Sequence, residues 1–437
     1  MDVKDLAIKL SKCETEEEVI DLLKQEGYWD DNKRWQPFGE NENNFSTIGN
    51  QQSAPEAALV EKLINSVDAV LLKECLIRGI DPESEHAPQN INDALEEYFN
   101  VKEGKLSNLD VAARNEMSKT IMLAATGTKS NPNYVIIDKG EGQTPLNMKS
   151  TILSLGKSNK LRVPFVQGKF NMGGTGVMQF CGRKNIQLII TKKCPDIKNN
   201  NDDTKAYWGI TVIRREDPSG GRRNSMFTYL TDNDGDILKF KSDELNIVPK
   251  PNQKYESLDY GMYIKLFDYV IKGYTTNILF DLNYRLALLM PSLYHPIRLV
   301  ESRDYRGHSL EATLSGLNVR LLEDRNSNIE DHFPISAVFD VDGQKMTASI
   351  FLFKEEADIK KYRKNEEILF CINGQTHGHL DKSFFKRKAV NLSYIADSLL
   401  IIVDCSDIDG RTREDLFMNS RDRLRDGKVK KDIESAL

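Results

Sequence analysis

No stretch of this 437-residue chain is apolar for long enough to cross a bilayer, which argues against a helical membrane protein. The amino-terminal MDVKDLAIKL is amphipathic and lacks the continuous apolar core of a secretory signal. Cysteine is sparse: Cys13, Cys75, Cys181, Cys194, Cys371 and Cys405 are scattered, and no pair has metal-ligand spacing. That usage predicts a reducing, cytoplasmic setting. A basic surplus is also missing. The 60 Lys and Arg residues face 66 Asp and Glu, a net charge of −6, which argues against a constitutively basic nucleic-acid binder and leaves room only for local patches. There is no internal repeat. The length predicts two or three domains with ample core.

The most informative stretch is Ser53 to Leu72, SAPEAALVEKLINSVDAVLL. Ser53 and Glu56 form a capping-box pattern, and Pro55 suits a first helical turn. Val60, Leu63, Ile64, Val67, Val70 and Leu71 recur at helical spacing and make one apolar face. Glu61, Asn65 and Asp68 lie beside it, within an arc of roughly 60° at a step of about 100° per residue. Taken alone, that row is either the solvated stripe of an amphipathic helix or the working face of a site.

Two glycine clusters follow. Tyr134 to Asp138 reads as a short buried strand and runs directly into Lys139-Gly140-Glu141-Gly142. A carboxylate at a strand end, followed by alternate glycines, lets backbone bend close to a ligand. Further on, Gly168-Lys169-Phe170-Asn171-Met172-Gly173-Gly174-Thr175-Gly176 leads into the helix-like VMQF. Glycines opening a helix offer free N–H groups and a positive dipole end, both suited to phosphate. Either cluster by itself is equally compatible with an ordinary turn.

The order of the three, ExxxNSxDA, then DxGxG, then GKFxxGGTG, resembles the GHKL ATPases, the superfamily of gyrase, heat-shock chaperone, histidine kinase and MutL, over roughly Ser53 to Asp268. The resemblance implies a two-layer α/β sandwich of the Bergerat ATP-binding type, followed by a ribosomal-protein-type α/β transducer domain. It assigns Glu61 as the base that activates water and Asn65 as the Mg²⁺ ligand. Asp68, Asp138, Gly140 and Gly142 are expected on the nucleotide, with Asp138 holding the adenine amino group. Lys169, Gly173, Gly174, Thr175 and Gly176 are expected in a lid over the phosphates. A fourth motif, usually Gly-Thr before a strand, is matched by Gly261-Met262, where Met262 replaces the Thr. The chemistry is consistent with these residue types. Phosphoryl transfer to water needs a metal, a positioned water and charge stabilisation. Mg²⁺ accepts a single Asn oxygen together with phosphate oxygens and waters. Glu61 stands one turn before Asn65, within reach of a water near the terminal phosphate.

Around this block, residues 1–50 are expected to form a helical cap, either packed on the main domain or exchanged between protomers. Residues 51–271 are expected to form the ATP-binding domain that the resemblance implies, with a mostly helical insert at about 79–133 that includes Ile91 to Phe99 and Leu109 to Ala125. Leu146 to Leu155 is a helix candidate, and Lys157, Lys160 and Arg162 belong to the lid. Strands are expected at Ile186–Thr191, Tyr207–Arg214, Ser225–Leu230, Ile237–Phe240 and Met262–Phe267, in one sheet covered by helices on one face. Residues 272–437 form the transducer-like domain: a helix at Thr275–Leu289, then strands at Ile297–Val300, Ile335–Val341, Met346–Phe353, Ile368–Ile372 and Leu399–Asp404. Between two of these strands lies Asn373-Gly374-Gln375-Thr376-His377-Gly378-His379. In transducer-bearing relatives a loop here sends a Lys onto the γ-phosphate; this chain offers Gln375 and, further on, Lys382. The segment reads equally as a plain turn. Arg411 to Arg425 reads as a basic amphipathic helix, solvated or acid-paired in preference to a nucleic-acid contact. The helical KVKKDIESAL has no stop signal, which leaves further domains beyond it as an expectation.

The expected function is that of an ATP-gated switch, closing into a homodimer on ATP and reopening on hydrolysis. The resemblance adds DNA transactions or anti-phage defence as its setting, with DNA or a partner protein as the client. The alternative is a chaperone-like or nucleotide-sensing scaffold with little turnover. A histidine kinase is disfavoured by Glu61 and by the want of a phospho-acceptor helix upstream.

Overall fold

The computed structural model describes every residue except 157–159, 169–172, 199–201, 275, 306 and 419–422. The chain folds as two compact units. One comprises Met1–Gly104, Asn108–Phe280 and His295–Thr313; the other comprises Lys105–Ser107, Asp281–Tyr294 and Leu314–Leu437. Among the described residues no helix is long and apolar enough to cross a membrane. The protein is of the mixed α/β class.

The first unit is built on a sheet of β1 (Trp35–Pro37), β2 (Ile121–Gly127), β3 (Pro132–Asp138), β4 (Gln187–Lys192), β5 (Tyr207–Glu216), β6 (Met226–Leu230), β7 (Leu238–Lys241), β10 (Gly261–Leu266), β11 (Ile297–Glu301) and β12 (Glu311–Leu314). A separate ribbon pairs β8 (Leu245–Lys250) with β9 (Lys254–Leu258). The sheet order is β1-β6-β5-β4-β10-β3-β2-β11-β12, with β7 joined to β5. β3, β10, β4 and β5 pair antiparallel, whereas β11 runs parallel to β2. The register sets Asp138, Met262 and Thr191 side by side across three strands. Aligned residues of neighbouring strands share a face, so these three project together.

That face receives the long helix. α1 (Val3–Lys12), α2 (Glu16–Gln25) and α3 (Asn44–Gly49) precede α4, which runs from Pro55 to Ile77. All six residues of the expected apolar stripe on α4 are buried. The helix starts where the sequence places it, but its N-cap position is Ala54, which has no capping side chain. α4 also continues five residues past Leu72, because Lys73 to Ile77 carry no breaker.

The opposite face is covered as well, which corrects the expectation of helices on one face only. Val135, Ile137, Leu188, Ile190 and Tyr263 alternate away from α4 and pack with Leu6, Leu10, Val19 and Leu23 of α1 and α2. Burying each such side chain stabilises the fold by about 1.5–3 kcal/mol. Polar stitching fixes this layer. The Lys265 ammonium donates to the carbonyls of Ser11 (3.0 Å) and Cys13 (2.6 Å) at the end of α1, and the Tyr263 hydroxyl donates to Ser11 (3.2 Å). Terminal helix carbonyls lack intrahelical partners, and a cation there also suits the helix dipole. The Glu16 carboxylate accepts the Lys184 and Ile186 N–H groups at 2.8 and 3.0 Å. Residues 1–26 thus pack as a cap on this face of the sheet.

Four further expectations are corrected. In the insert, α5 (Ile91–Phe99) and α6 (Val111–Met117) are helical, but the second half of Leu109–Ala125 is strand β2. Its residues are buried on both sides, and a continuous apolar run carries no periodicity to separate strand from helix. Leu146–Leu155 supplies only the end of α7 (Pro145–Met148), and VMQF only a single 3₁₀ turn at Met178–Phe180. Ile297–Val300 belongs to the first sheet, as β11.

The second unit holds β13 (Ile335–Val341), β14 (Gln344–Leu352), β15 (Ile368–Ile372), β16 (Gln375–Leu380) and β17 (Leu399–Asp404) in the order β13-β14-β17-β15-β16. Phe370, Val403, Phe384, Phe385 and Ile433 lie in its core. Its helices include α8 (Asp281–Leu289), shorter than the expected Thr275–Leu289. The segment expected as a loop at 373–379 is mostly strand. Asn373 (φ 46°) and Gly374 (φ 75°) make a two-residue turn, and Gln375–Leu380 pairs back on Ile368–Ile372. Asn-Gly is the favoured pair for a hairpin turn with both φ positive. Of the expected helix at Arg411–Arg425, the described residues are helical only over Gly410–Leu416, Phe417 and Leu424 form an isolated bridge, and 419–422 lie outside the described residues.

Candidate functional site

The row on α4 is not a solvated stripe. Asp68 is fully buried and Glu61 is 5% exposed, while Asn65 is partly buried. A buried carboxylate needs hydrogen bonds or charge partners. Asp68 obtains them from the chain entering the glycine strip: the Gln167 N–H at 2.9 Å and the Gly168 N–H at 2.8 Å, with the Lys160 ammonium at 3.9 Å. Burial still pushes the Asp68 carboxyl above its ordinary pKa, against the pull of Lys160 and the two N–H groups.

The strip itself rests on the same helix face. A methyl group placed on Gly168 would meet Asn65 Oδ1 at 2.8 Å and Asp68 Oδ2 at 3.0 Å. One on Gly174 would meet Asn65 Nδ2 at 2.8 Å, with the Lys62 stem at 3.8 and 3.9 Å. A side chain at either glycine would therefore push these polar groups aside. Gly176 lies over Gln52, and Thr175 is buried. Lys169 lies outside the described residues, as does Lys157.

Asp138 closes the other end. It is 3% exposed, accepts the Ser66 hydroxyl at 2.9 Å and accepts the Gly140 N–H at 3.1 Å. Burial raises its pKa to about 7, with Ser66 and Gly140 opposing the rise. Gly140 and Gly142 have roles within the protein. A methyl on Gly140 would meet Ala69 of α4 at 2.6 Å, and one on Gly142, whose φ is +61°, would meet the Lys192 carbonyl at 2.0 Å. Beside Asp138 in the sheet, Met262 occupies the place of the expected hydroxyl. Thr191, the next residue in that row, donates to the Gly261 carbonyl at 2.8 Å and accepts the Gln143 N–H at 2.9 Å.

The fold thus brings Glu61, Asn65, Asp68, Asp138 and the strip Gly173–Gly176 onto one helix face and its neighbours. Gln375 and Lys382 lie in the second unit. Gln375 is buried at the start of β16, and the exposed Lys382 pairs with Asp397 at 3.0 Å. Sequence reasoning passed over Ser66, Lys62 and Gln167. Ser66 was legible as the small polar residue one turn after Lys62, but its partner was not. Gln167 acts through backbone, which carries no residue signal.

Of these groups, Asn65 Oδ1 is the neutral hard oxygen suited to Mg²⁺, and Asp138 is the acceptor suited to an exocyclic amine. No family model matches the chain, and no curated protein matches it.

Proposed function

We propose that the first unit binds Mg-ATP and hydrolyses it, in the manner of the GHKL ATPases. One observation carries this reading. The glycine strip is folded onto Asn65 and Asp68 of the helix that also positions Asp138 through Ser66. The strip and Asp138, far apart in sequence, thereby meet on one helix face of about two turns, from Lys62 to Ala69.

In this reading Asp138 accepts the adenine amino group, and the strip presents its N–H groups to the phosphates. Asn65 would hold Mg²⁺, which when bound neutralises phosphate charge. Glu61 orients a water and takes its proton. The water-excluded setting of Glu61 strengthens each of these contacts. The second unit transmits the nucleotide state, with Gln375 and Lys382 as its proposed contact residues. ATP-dependent homodimerisation, a DNA or protein client and a cytoplasmic setting belong to the same proposal.

The test separates binding from chemistry. Glu61→Ala is expected to bind ATP and to lose turnover by about a hundredfold or more. Asn65→Ala is expected to lose Mg-dependent binding itself. Wild-type turnover in the Glu61 variant would overturn the assignment.

A further inference from the structure

Lys62 is not used by the scheme above. It sits on α4 between Glu61 and Asn65 and is partly buried. A methyl group placed on Gly174 would lie 3.8 to 3.9 Å from the Lys62 stem and would also meet Asn65 Nδ2 at 2.8 Å. Among the described residues it makes neither a salt bridge nor a hydrogen bond, although Glu61 and Asp68 stand on the same helix. Burial lowers its pKa to about 8, and the charge interaction that opposes this comes from Cys181, a buried thiol whose own pKa is raised by burial. A neutral thiol is no counter-ion. Withdrawing an ammonium from water without an anion is unfavourable, and a bound anion reverses that penalty.

The position along the helix says which part of a nucleotide would supply the anion. Asp138 and Gly140 mark the base end, and they touch α4 at Ser66 and Ala69. Lys62 precedes Ser66 by four residues, about 6 Å along the axis, on the side of Glu61. A triphosphate anchored by its base at Ser66 extends its far end towards Lys62, beneath the strip.

We propose that Lys62 is the cation that binds the terminal phosphate of the nucleoside triphosphate, so that α4 itself distinguishes tri- from diphosphate. This rests on the nucleotide reading. It places the discriminating charge inside the first unit, one residue from the proposed base.

The experiment measures binding of a non-hydrolysable ATP analogue and of ADP to the full chain by calorimetry, for wild type, Lys62→Met, Lys62→Gln and Lys62→Arg, with Asp138→Asn in parallel. Met and Gln follow the same path as the lysine stem, and two neutral replacements guard against a folding defect in one. The expected result is a loss of about tenfold or more for the analogue in both neutral variants, the order of a charge-assisted hydrogen bond. ADP affinity should stay within about twofold, and Arg should restore most of the analogue affinity. Equal losses for analogue and ADP, or none for either, would overturn the role of Lys62. If wild type binds the analogue, Asp138→Asn does not and the neutral Lys62 variants do, only Lys62 falls. If wild type binds neither nucleotide, the nucleotide reading falls and Lys62 with it.

Discussion

Asp138 offers a perturbation whose size follows from the fold. Burial holds its carboxyl near pH 7, about three units above an ordinary aspartate. The sign for stability follows. The folded state keeps a proton that the unfolded chain releases near pH 4, so this group's stabilising contribution is full below that pH and is lost as pH rises through about 7. An upper bound for the change is about 4 kcal/mol, at 1.36 kcal/mol per unit. Ligand binding carries the opposite sign. An adenine amine donates more strongly to a carboxylate than to a neutral carboxyl, whose carbonyl oxygen is the weaker acceptor, so binding favours loss of the proton and affinity should fall as pH falls below about 7. At pH 5, two units lower, the penalty is at most about 2.7 kcal/mol, or about a hundredfold. Adenosine is the clean probe because it has no phosphate to titrate. Titration calorimetry in buffers of different ionisation enthalpy should register proton release near neutrality. Asp138→Asn keeps the shape, since its amide can accept from Gly140 and donate to Ser66. It should fold, be at least as stable as wild type at pH 8 and bind adenosine about 10- to 100-fold more weakly, the cost of losing a hydrogen bond to a charged group. Adenosine affinity that is flat from pH 5 to 8, or unchanged in the Asn variant, would refute the reasoning.

Two other outcomes complete the set. Gly142→Ala places a methyl 2.0 Å from the Lys192 carbonyl at a positive φ, so it should lower stability by roughly 2–4 kcal/mol, visible as a shifted urea midpoint. Sedimentation with a non-hydrolysable ATP analogue should show a homodimer absent without nucleotide; a liganded monomer at every concentration would remove dimerisation from the proposed switch.

The elements that sequence placed well are those with periodicity or punctuation. The apolar stripe of α4 and the strand Tyr134–Asp138 stand where the spacing put them. Strand β2 was missed because IMLAAT is buried on both sides and reads as helix or strand alike. The β8–β9 ribbon was missed because its signals are short. The hairpin at Asn373-Gly374 was legible in its turn residues, but attention to Gln375 as a loop side chain obscured it. At the site, the carboxylates and glycines were visible as types. Their partners were not, because Ser66 with Asp138 and Gly168 with Asp68 are separated by 72 and 100 residues. Contacts at that range are set by the tertiary fold.

The chain leaves the first unit after Phe280 and comes back for His295–Thr313, and this bears on its synthesis. As the protein emerges from the ribosome, every strand from β1 to β10 is available before β11 exists. Until Ile297–Glu301 arrives, β2 presents an unpaired, apolar edge, Ile121 to Gly127, beside an otherwise finished sheet. An open edge of that kind is a template for strands of neighbouring nascent chains. A fragment ended at Phe280, however natural the cut looks from the motifs, would keep that edge permanently and should aggregate where the longer chain does not.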